Sequence, residues 1–458
     1  MNYQVKLGLF DYYGFPLAYS KKQEKQIQKL AKKANKNSEK IWNKFEKKNG
    51  KVSTITEVDK TIKKLSRKGI PHQHRLTIWP ILCGSKYTHD QNRGYYKRIL
   101  KEHTGHLSPS TQQIEHDLAR TFPMMDFFKS KENMDKLRNV LYAYSFRNPE
   151  IGYCQSMNFI VGFFLILGFT EEETFWMFVT IVEVILPKKT YSDELQDTQI
   201  DQLSFEYLLR SRYKWIRNPL DSLDEMGVKL TVITQQWFMC LFICCLPTEC
   251  VLRIFDIVFA EGYKILFRVS LALFKINKAQ ILKCNSSPDL FTHLKNMSLD
   301  VIDPDKLINT AFSIRFLTTK EINKHREKIS PNVKNEINKR QIYKKQMRKK
   351  LKQRQKGFDE KYNKNSTNEK DSNSNSNSNS TLSSKNNSDQ GNENKLSKKD
   401  SKSKNELEKI SQEVENENEK EKIQSSQKYQ EKEEKLRKNN QEDLEKKKIE
   451  IEKEKENI

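Results

Sequence analysis

The chain has 458 residues, 83 of them Lys or Arg and 60 Asp or Glu, for a formal net charge of +23. That length has room for two or three domains, but apolar residues thin out sharply after Phe316, which excludes a second large core in the last third. A charge of this size points to an anionic partner (a membrane surface, a nucleic acid or an acidic protein face) unless the lysines simply solvate the surface.

The excess charge comes almost entirely from the stretch before Lys68 and the run Lys324–Lys356; the segment between is close to neutral. Lys21–Lys48 is basic and helix-compatible, with Ile27, Leu30, Ile41, Trp42 and Phe45 on one stripe. Such a helix either packs on a globular body or lies on an anionic surface, and the area that Trp42 and Phe45 can bury favours packing. Leu137, Val140, Leu141, Tyr144 and Ser145 recur at three and four, the spacing of a buried helical face. The longest apolar run, Phe159–Phe169, is short of the ~18 residues needed to span a bilayer and is followed by Glu171-Glu172-Glu173. Thr170 with Glu173 forms a capping box. It opens a helix through Phe175, Trp176, Phe178, Val179 and Val182 that Pro187 stops. Trp237–Leu246 is apolar nearly all round and reads as a core helix ended by Pro247. Thr248 starts another with Leu252, Phe255 and Ile257, Gly262 breaks the pattern, and Tyr263–Phe274 resumes it. Strand signals are nearly absent, so an all-α fold is expected, with its core over 66–316.

Around that core, residues 1–65 read as an entry segment and basic helix, and 317–362 as a basic helical segment with Gln341–Phe358 its clearest part. Residues 363–404, with Ser-Asn alternation over Ser372–Ser380, form a low-complexity linker that lacks the apolar surface to fold. Residues 405–458 suit a solvated helix with Glu–Lys pairs better than a coiled coil. Of the seven cysteines, Cys240, Cys244, Cys245 and Cys250 share one apolar stretch at helix-like spacing. Zinc sites favour paired knuckles or added histidines, so buried reduced thiols in a helix are expected and no metal site. No basic-then-apolar leader opens the chain. The expectation is a soluble cytoplasmic protein, peripheral on endomembranes where its basic flanks meet anionic lipid.

Two short stretches carry chemistry. In Ile114–Pro123, Ile114, Asp117 and Leu118 share a helical face, and Arg120 and Thr121 fall near the helix end before Pro123. Asp117 is placed to hold Arg120; the plainer reading is an Arg120 surface pair with Asp117 or Glu115. In Asn148–Asn158, Gln155 lies in a Gly/Pro-punctuated turn before an apolar helix starting near Met157, where a residue can reach a partner's site or merely cap the helix. An arginine to neutralise charge on a transferred phosphoryl group and an amide to orient water are the two things GTP hydrolysis demands.

In this order the stretches resemble the IxxDxxRT and YxQ signatures of the TBC domain of Rab GTPase-activating proteins. Similar matches run further: Asp11-Tyr12-Tyr13-Gly14-Phe15 looks like the DxYGF opening, and Arg67–Pro71 with Arg75 and Trp79 like RKGIP…RxxxW. Trp237–Phe242, Leu252–Asp256 and Glu261–Arg268 resemble the WFLxLF and RIWDxxxxEGxKxLFR segments. The resemblance implies a multi-helix TBC domain that supplies Arg120 and Gln155 in trans to a GTP-bound Rab. Asp117, Thr121, Tyr153 and Ser156 would support the fingers, and Arg75, Trp79 and Asp256 the fold. It further implies no cofactor and no turnover chemistry of its own, since GTP and Mg belong to the GTPase. Two residues depart from the pattern: Ser156 stands where glycine, which tolerates positive φ, is usual, and Phe255 replaces a tryptophan. Two alternatives stand beside this reading. One is a TBC-fold adaptor that binds a GTPase without accelerating it. The other is a basic nucleic-acid-binding protein, although the flanks lack interleaved aromatics or a recognition motif.

Overall fold

The structure, a computed structural model, describes residues 21–52, 55 and 58–371. The Asp11–Phe15 opening, the Ser372–Ser380 alternation and the segment 405–458 lie outside the described residues. The chain divides at Gly357 into two units, and of the second the described residues are helical to Asp371.

Every regular element among the described residues is helical, and these residues contain no strand. The first five helices are α1 (Lys21–Asn49), α2 (Lys60–Lys68), α3 (His72–Cys83), α4 (Ser85–Gln91) and α5 (Tyr95–Glu102). Next come α6 (Pro109–Leu118), α7 (Lys131–Arg147), α8 (Met157–Ile166) and α9 (Glu171–Thr180). α10 (Gln196–Arg212), α11 (Arg217–Glu225), α12 (Leu230–Met239), α13 (Thr248–Glu261) and α14 (Lys264–Ile276) follow. α15 (Lys278–Ile281), α16 (Ser287–Asn296), α17 (Pro304–Ser313) and α18 (Thr319–Asp371) complete the order. α7 packs on α6, α8 and α9, while α13 packs on α2, α3, α14 and α17.

Local signals set most of these boundaries. Thr170 accepts from the Glu173 amide while Glu173 reaches back to the Thr170 amide, so α9 starts with the capping box read from sequence. α9 then widens into a π-helical turn over Ile181–Ile185, ahead of Pro187. The periodic residues Leu137, Val140, Leu141, Tyr144 and Ser145 of α7 are all buried. α1 takes the packing fate: Trp42 is fully buried and its indole N–H donates to the Gly69 carbonyl at 2.8 Å.

Two elements differ from their sequence reading, one being α18, which continues to Asp371, past residue 362 and into the expected linker. The expected helix over Trp237–Leu246 is instead the end of α12, which starts earlier, at Leu230, and stops at Met239. Leu241 and Phe242 are left-handed, with φ of 49° and 66°. The Phe242 amide donates back to the Trp237 carbonyl at 3.1 Å, a helix-closing bond of the Schellman type. Such a turn normally needs glycine, since an L side chain costs about 1–2 kcal/mol there; burial of Leu241 and Phe242 in the core holds it. The cysteines move with it. Cys240 and Cys245 are buried outside any helix, Cys244 is exposed, and only Cys250 sits in one, α13.

A fully buried carboxylate joins α3 to α13. Asp256, fully buried, accepts from Arg75 Nε (3.0 Å) and Nη2 (3.1 Å), Trp79 Nε1 (2.8 Å) and the Ile70 amide (3.0 Å). Burial and the Arg75 charge push the His72 imidazole down to about 3. It is therefore neutral and can accept from Arg75 Nη1 through Nδ1 at 2.8 Å. Phe255, the replacement for tryptophan, is buried beside Trp79, Phe163 and Phe164 with ring centroids 5.5–5.8 Å apart.

Removing one member of a buried, hydrogen-bonded ion pair strands the other. Arg75→Ala should therefore lower unfolding free energy by about 3–5 kcal/mol in urea titrations. Arg120→Ala, at an exposed position, should stay within about 0.5 kcal/mol of wild type. Similar midpoints for the two variants would mean that Asp256 does not anchor α3 to α13.

Candidate functional site

The site is built on two turns, one leaving α6 and one entering α8. α6 begins with a Ser108–Thr111 capping box and Pro109, and buries Ile114, Asp117 and Leu118 on the face that meets α7. Its end leaves Arg120 pointing outward with 73% of its side chain exposed. Glu115 does not engage Arg120. It accepts from Arg138 and Tyr142 at 2.7 Å. Arg120 Nη1 lies 3.8 Å from Asp117 Oδ1. At that distance the contact is loose, and with Arg120 itself exposed most of the guanidinium fork faces solvent.

The second turn leaves α7 at Asn148, whose carbonyl accepts from Gly152 N at 2.7 Å. Gly152 has φ +60°, and a Cβ there would meet Ser110 Oγ at 2.5 Å, so the turn lies directly on the first turn of α6. Tyr153 is buried and its hydroxyl donates to Asp117 Oδ2 at 3.0 Å. Burial, followed by the Asp117 charge, pushes this phenol far above its usual range, keeping it a donor. Gln155 is exposed. One buried carboxylate thus touches both turns: Asp117 holds Tyr153 on one oxygen and faces Arg120 with the other.

A second bridge crosses below it. Thr121, buried, donates to the Asp117 carbonyl at 2.9 Å and accepts from Asn158 Nδ2 at 2.8 Å. Asn158 Oδ1 accepts from the Ser156 amide at 3.1 Å. Ser156 has φ 106°, the left-handed side where glycine is favoured, and Asn158 ties that strained residue to the arginine turn. Gly162 completes the contact. A Cβ there would sit 3.1 Å from Thr121 Cγ2, so a larger residue would press the arginine turn away from α8 by a few tenths of an ångström.

Asn158 and Gly162 are the site residues that sequence reading missed. A signal existed for the first: Asn158 is the one polar residue in Met157–Ile166. Behind Ser156, the Cys240 thiol is held below its ordinary range by the Cys244 thiol against it, with burial opposing and Ser156 adding to the effect. Among the described residues no His, Cys, Asp or Glu cluster could hold a metal ion, and no helix is long and apolar enough to cross a membrane. Arg75, Trp79 and Asp256 lie in the core as the staple described above, not at the two turns.

Residues 72–282 match the family profile of the Rab-GTPase-TBC domain. Growth hormone-regulated TBC protein 1 of Homo sapiens is 38% identical over 245 residues, covering 52% of this chain and 70% of that protein. The chain belongs to the TBC-domain family. TBC1 domain family member 2B of Xenopus tropicalis is 36% identical over 256 residues, 55% of this chain. Those residues are only 27% of that relative's length, so the chain spans about a quarter of it. The TBC domain of a Chlamydomonas flagellar RabGAP superposes with a TM-score of 0.58 at 28% identity, over 67% of this chain and 99% of that one.

The strain at Ser156 makes a checkable statement about this TBC domain. Ser156→Gly removes a left-handed penalty of about 1–2 kcal/mol and adds back about 0.4–1 kcal/mol of unfolded-state entropy. A net gain of about 0.5–1 kcal/mol in thermal or urea unfolding is expected. Destabilisation would show that the serine side chain holds the turn by more than its backbone strain opposes it.

Proposed function

We propose that this chain is a GTPase-activating protein for a Rab-family GTPase in its GTP-bound form, and that it works through Arg120 and Gln155. The observation that carries the reading is their common frame. Two solvent-facing side chains of complementary chemistry stand on adjacent turns, joined beneath by Asp117–Tyr153 and by Thr121–Asn158–Ser156. Family membership supports the same activity.

Hydrolysis of GTP is slow because charge builds on the transferred phosphoryl group and the attacking water is poorly held. Arg120 would enter the partner's site and neutralise that charge with its planar fork of donors. Gln155 would hold the water in line, its carbonyl accepting from the water and its amide donating to a phosphate oxygen. GTP and Mg remain the partner's. An arginine given in trans is worth ~10³–10⁵ in rate, or about 4–7 kcal/mol of barrier. Preorganisation is what the buried frame adds, because a finger that must first be ordered loses part of that gain.

Arg120→Ala should cut stimulated hydrolysis by at least ~10²-fold with the fold intact, since the lost interaction exists chiefly in the transition state. Arg120→Lys should recover little of it. Single-turnover hydrolysis across a panel of purified Rabs is the measurement, and near-normal stimulation by Arg120→Ala would remove the assignment. A variant-insensitive protein that still binds the GTPase would be an adaptor.

The water-positioning role has its own test. A Rab whose switch glutamine is replaced by alanine should still be stimulated by the wild-type chain and respond poorly to Gln155→Ala. A Rab variant wholly unresponsive to the wild-type chain would place the water under the GTPase's own control.

A further inference from the structure

We propose that the distal part of the first unit's share of α18, Lys345–Lys356, is a membrane-surface helix that binds anionic lipid beside the finger turns. In giving the activator a working surface the proposal builds on the reading above; the lipid binding itself stands on separate observations.

The first is where α18 is held and where it is not. Its early turns are clamped along α10. Arg212 bonds Glu321 at 2.7 Å, and Arg326 reaches Asp197 at 2.9 Å and Asp201 at 2.6 Å. Ile200 of α10 buries Val333 and Ile337, with Ile329 against them. The clamp continues through Arg340 to Gln199 (2.9 Å) and Lys344 to Glu194 (3.1 Å). From Lys345 to Lys356 the described side chains are exposed except Met347, which is half-buried.

Charge and pattern come second. Seven of the twelve residues from Lys345 to Lys356 are Lys or Arg and none is acidic. Met347 and Leu351 stand about five helical turns beyond Ile329 and Val333 and so repeat the docking face. Leu351 is 42% exposed. A helix with an apolar stripe among basic residues lies in an anionic interface, its stripe among the acyl chains and its lysines at the headgroups. Self-association along this stretch would set like charges against each other. A nucleic acid would use the charge but leave Met347 and Leu351 without a role.

Placement is the third. A cavity of about 510 Å³ has Ile337 and Gln341 of α18 in one wall and Asn148, Glu150 and Ile151 in another. Those last three residues lead to Gln155, so the clamped end of α18 flanks the glutamine turn. A leaflet bound by the helix beyond would lie beside the face that meets the GTPase.

The test is co-flotation of the full chain with vesicles of phosphatidylcholine alone or mixed with phosphatidylserine. Wild type should bind the mixed vesicles, release as salt rises, and bind the neutral ones poorly; the attraction reaches only ~8 Å at physiological salt. Each basic residue near such a leaflet contributes up to about fivefold in partition. A variant carrying Lys345→Gln, Arg348→Gln, Lys349→Gln, Lys350→Gln and Lys352→Gln should therefore partition at least ~10²-fold more weakly. Leu351→Glu should weaken binding at least ~tenfold. Both variants should keep wild-type stimulation of a soluble Rab without vesicles, so loss of that arm would concern the activator reading alone. Undiminished flotation of the five-site variant, or equal binding to both vesicle types, overturns the proposal, as would salt-sensitive capture of the helix by RNA or by an acidic protein in place of lipid.

Discussion

The buried carboxylate of Asp256 receives four hydrogen bonds from three places: the Arg75 guanidinium, the Trp79 indole and the Ile70 amide. A buried charge of this kind is tolerable only when fully paired and hydrogen-bonded. Here every donor belongs to the short stretch Ile70–Trp79, so the carboxylate fixes α3 and its entry turn on α13. Trp79 then carries the aromatic cluster of Phe164, Phe169, Phe255 and Phe259. Phe164 belongs to α8, the helix on which the glutamine turn is mounted. The staple touches neither Arg120 nor Gln155, yet through Phe164 it bears on the position of α8.

Burial is divided sharply at the site. Arg120 and Gln155 face solvent, whereas Asp117, Thr121, Tyr153 and Asn158 are buried. Outward groups are free to meet a partner, and inward groups are satisfied by one another and hold the geometry. Asp117 is the pivot, because it meets Tyr153 directly and Arg120 across a longer gap.

Backbone strain follows the same division. Phe122, two residues past Arg120, and Ser156, next to Gln155, both have positive φ. Strained conformations persist where the surroundings over-determine them. Phe122 is held by Phe128 and Phe159, and Ser156 by Asn158. Arg120 and Gln155 are therefore each followed by a turn sharper than its own residues prefer, which sends the side chain out while the chain returns to the core.

Much of this was legible in the residues. Three-and-four spacing identified α7, Thr170 with Glu173 marked the start of α9, and Gly262 marked the break between α13 and α14. Those signals operate within one or two helical turns, the range over which side-chain spacing and capping act. The stretches around Arg120 and Gln155 resembled a TBC domain by residue type and order, and that is the family to which the chain belongs. Tertiary structure decided the rest. Only folding brings Arg75 to Asp256 across 181 positions, or sets Leu241 and Phe242 in a left-handed turn that local preference opposes. Only folding lays the early turns of α18 on α10, through Val333 and Ile337 against Ile200. Spacing says which face of a helix is buried. What covers that face, and how much strain the cover can hold, is set by partners far away in the chain.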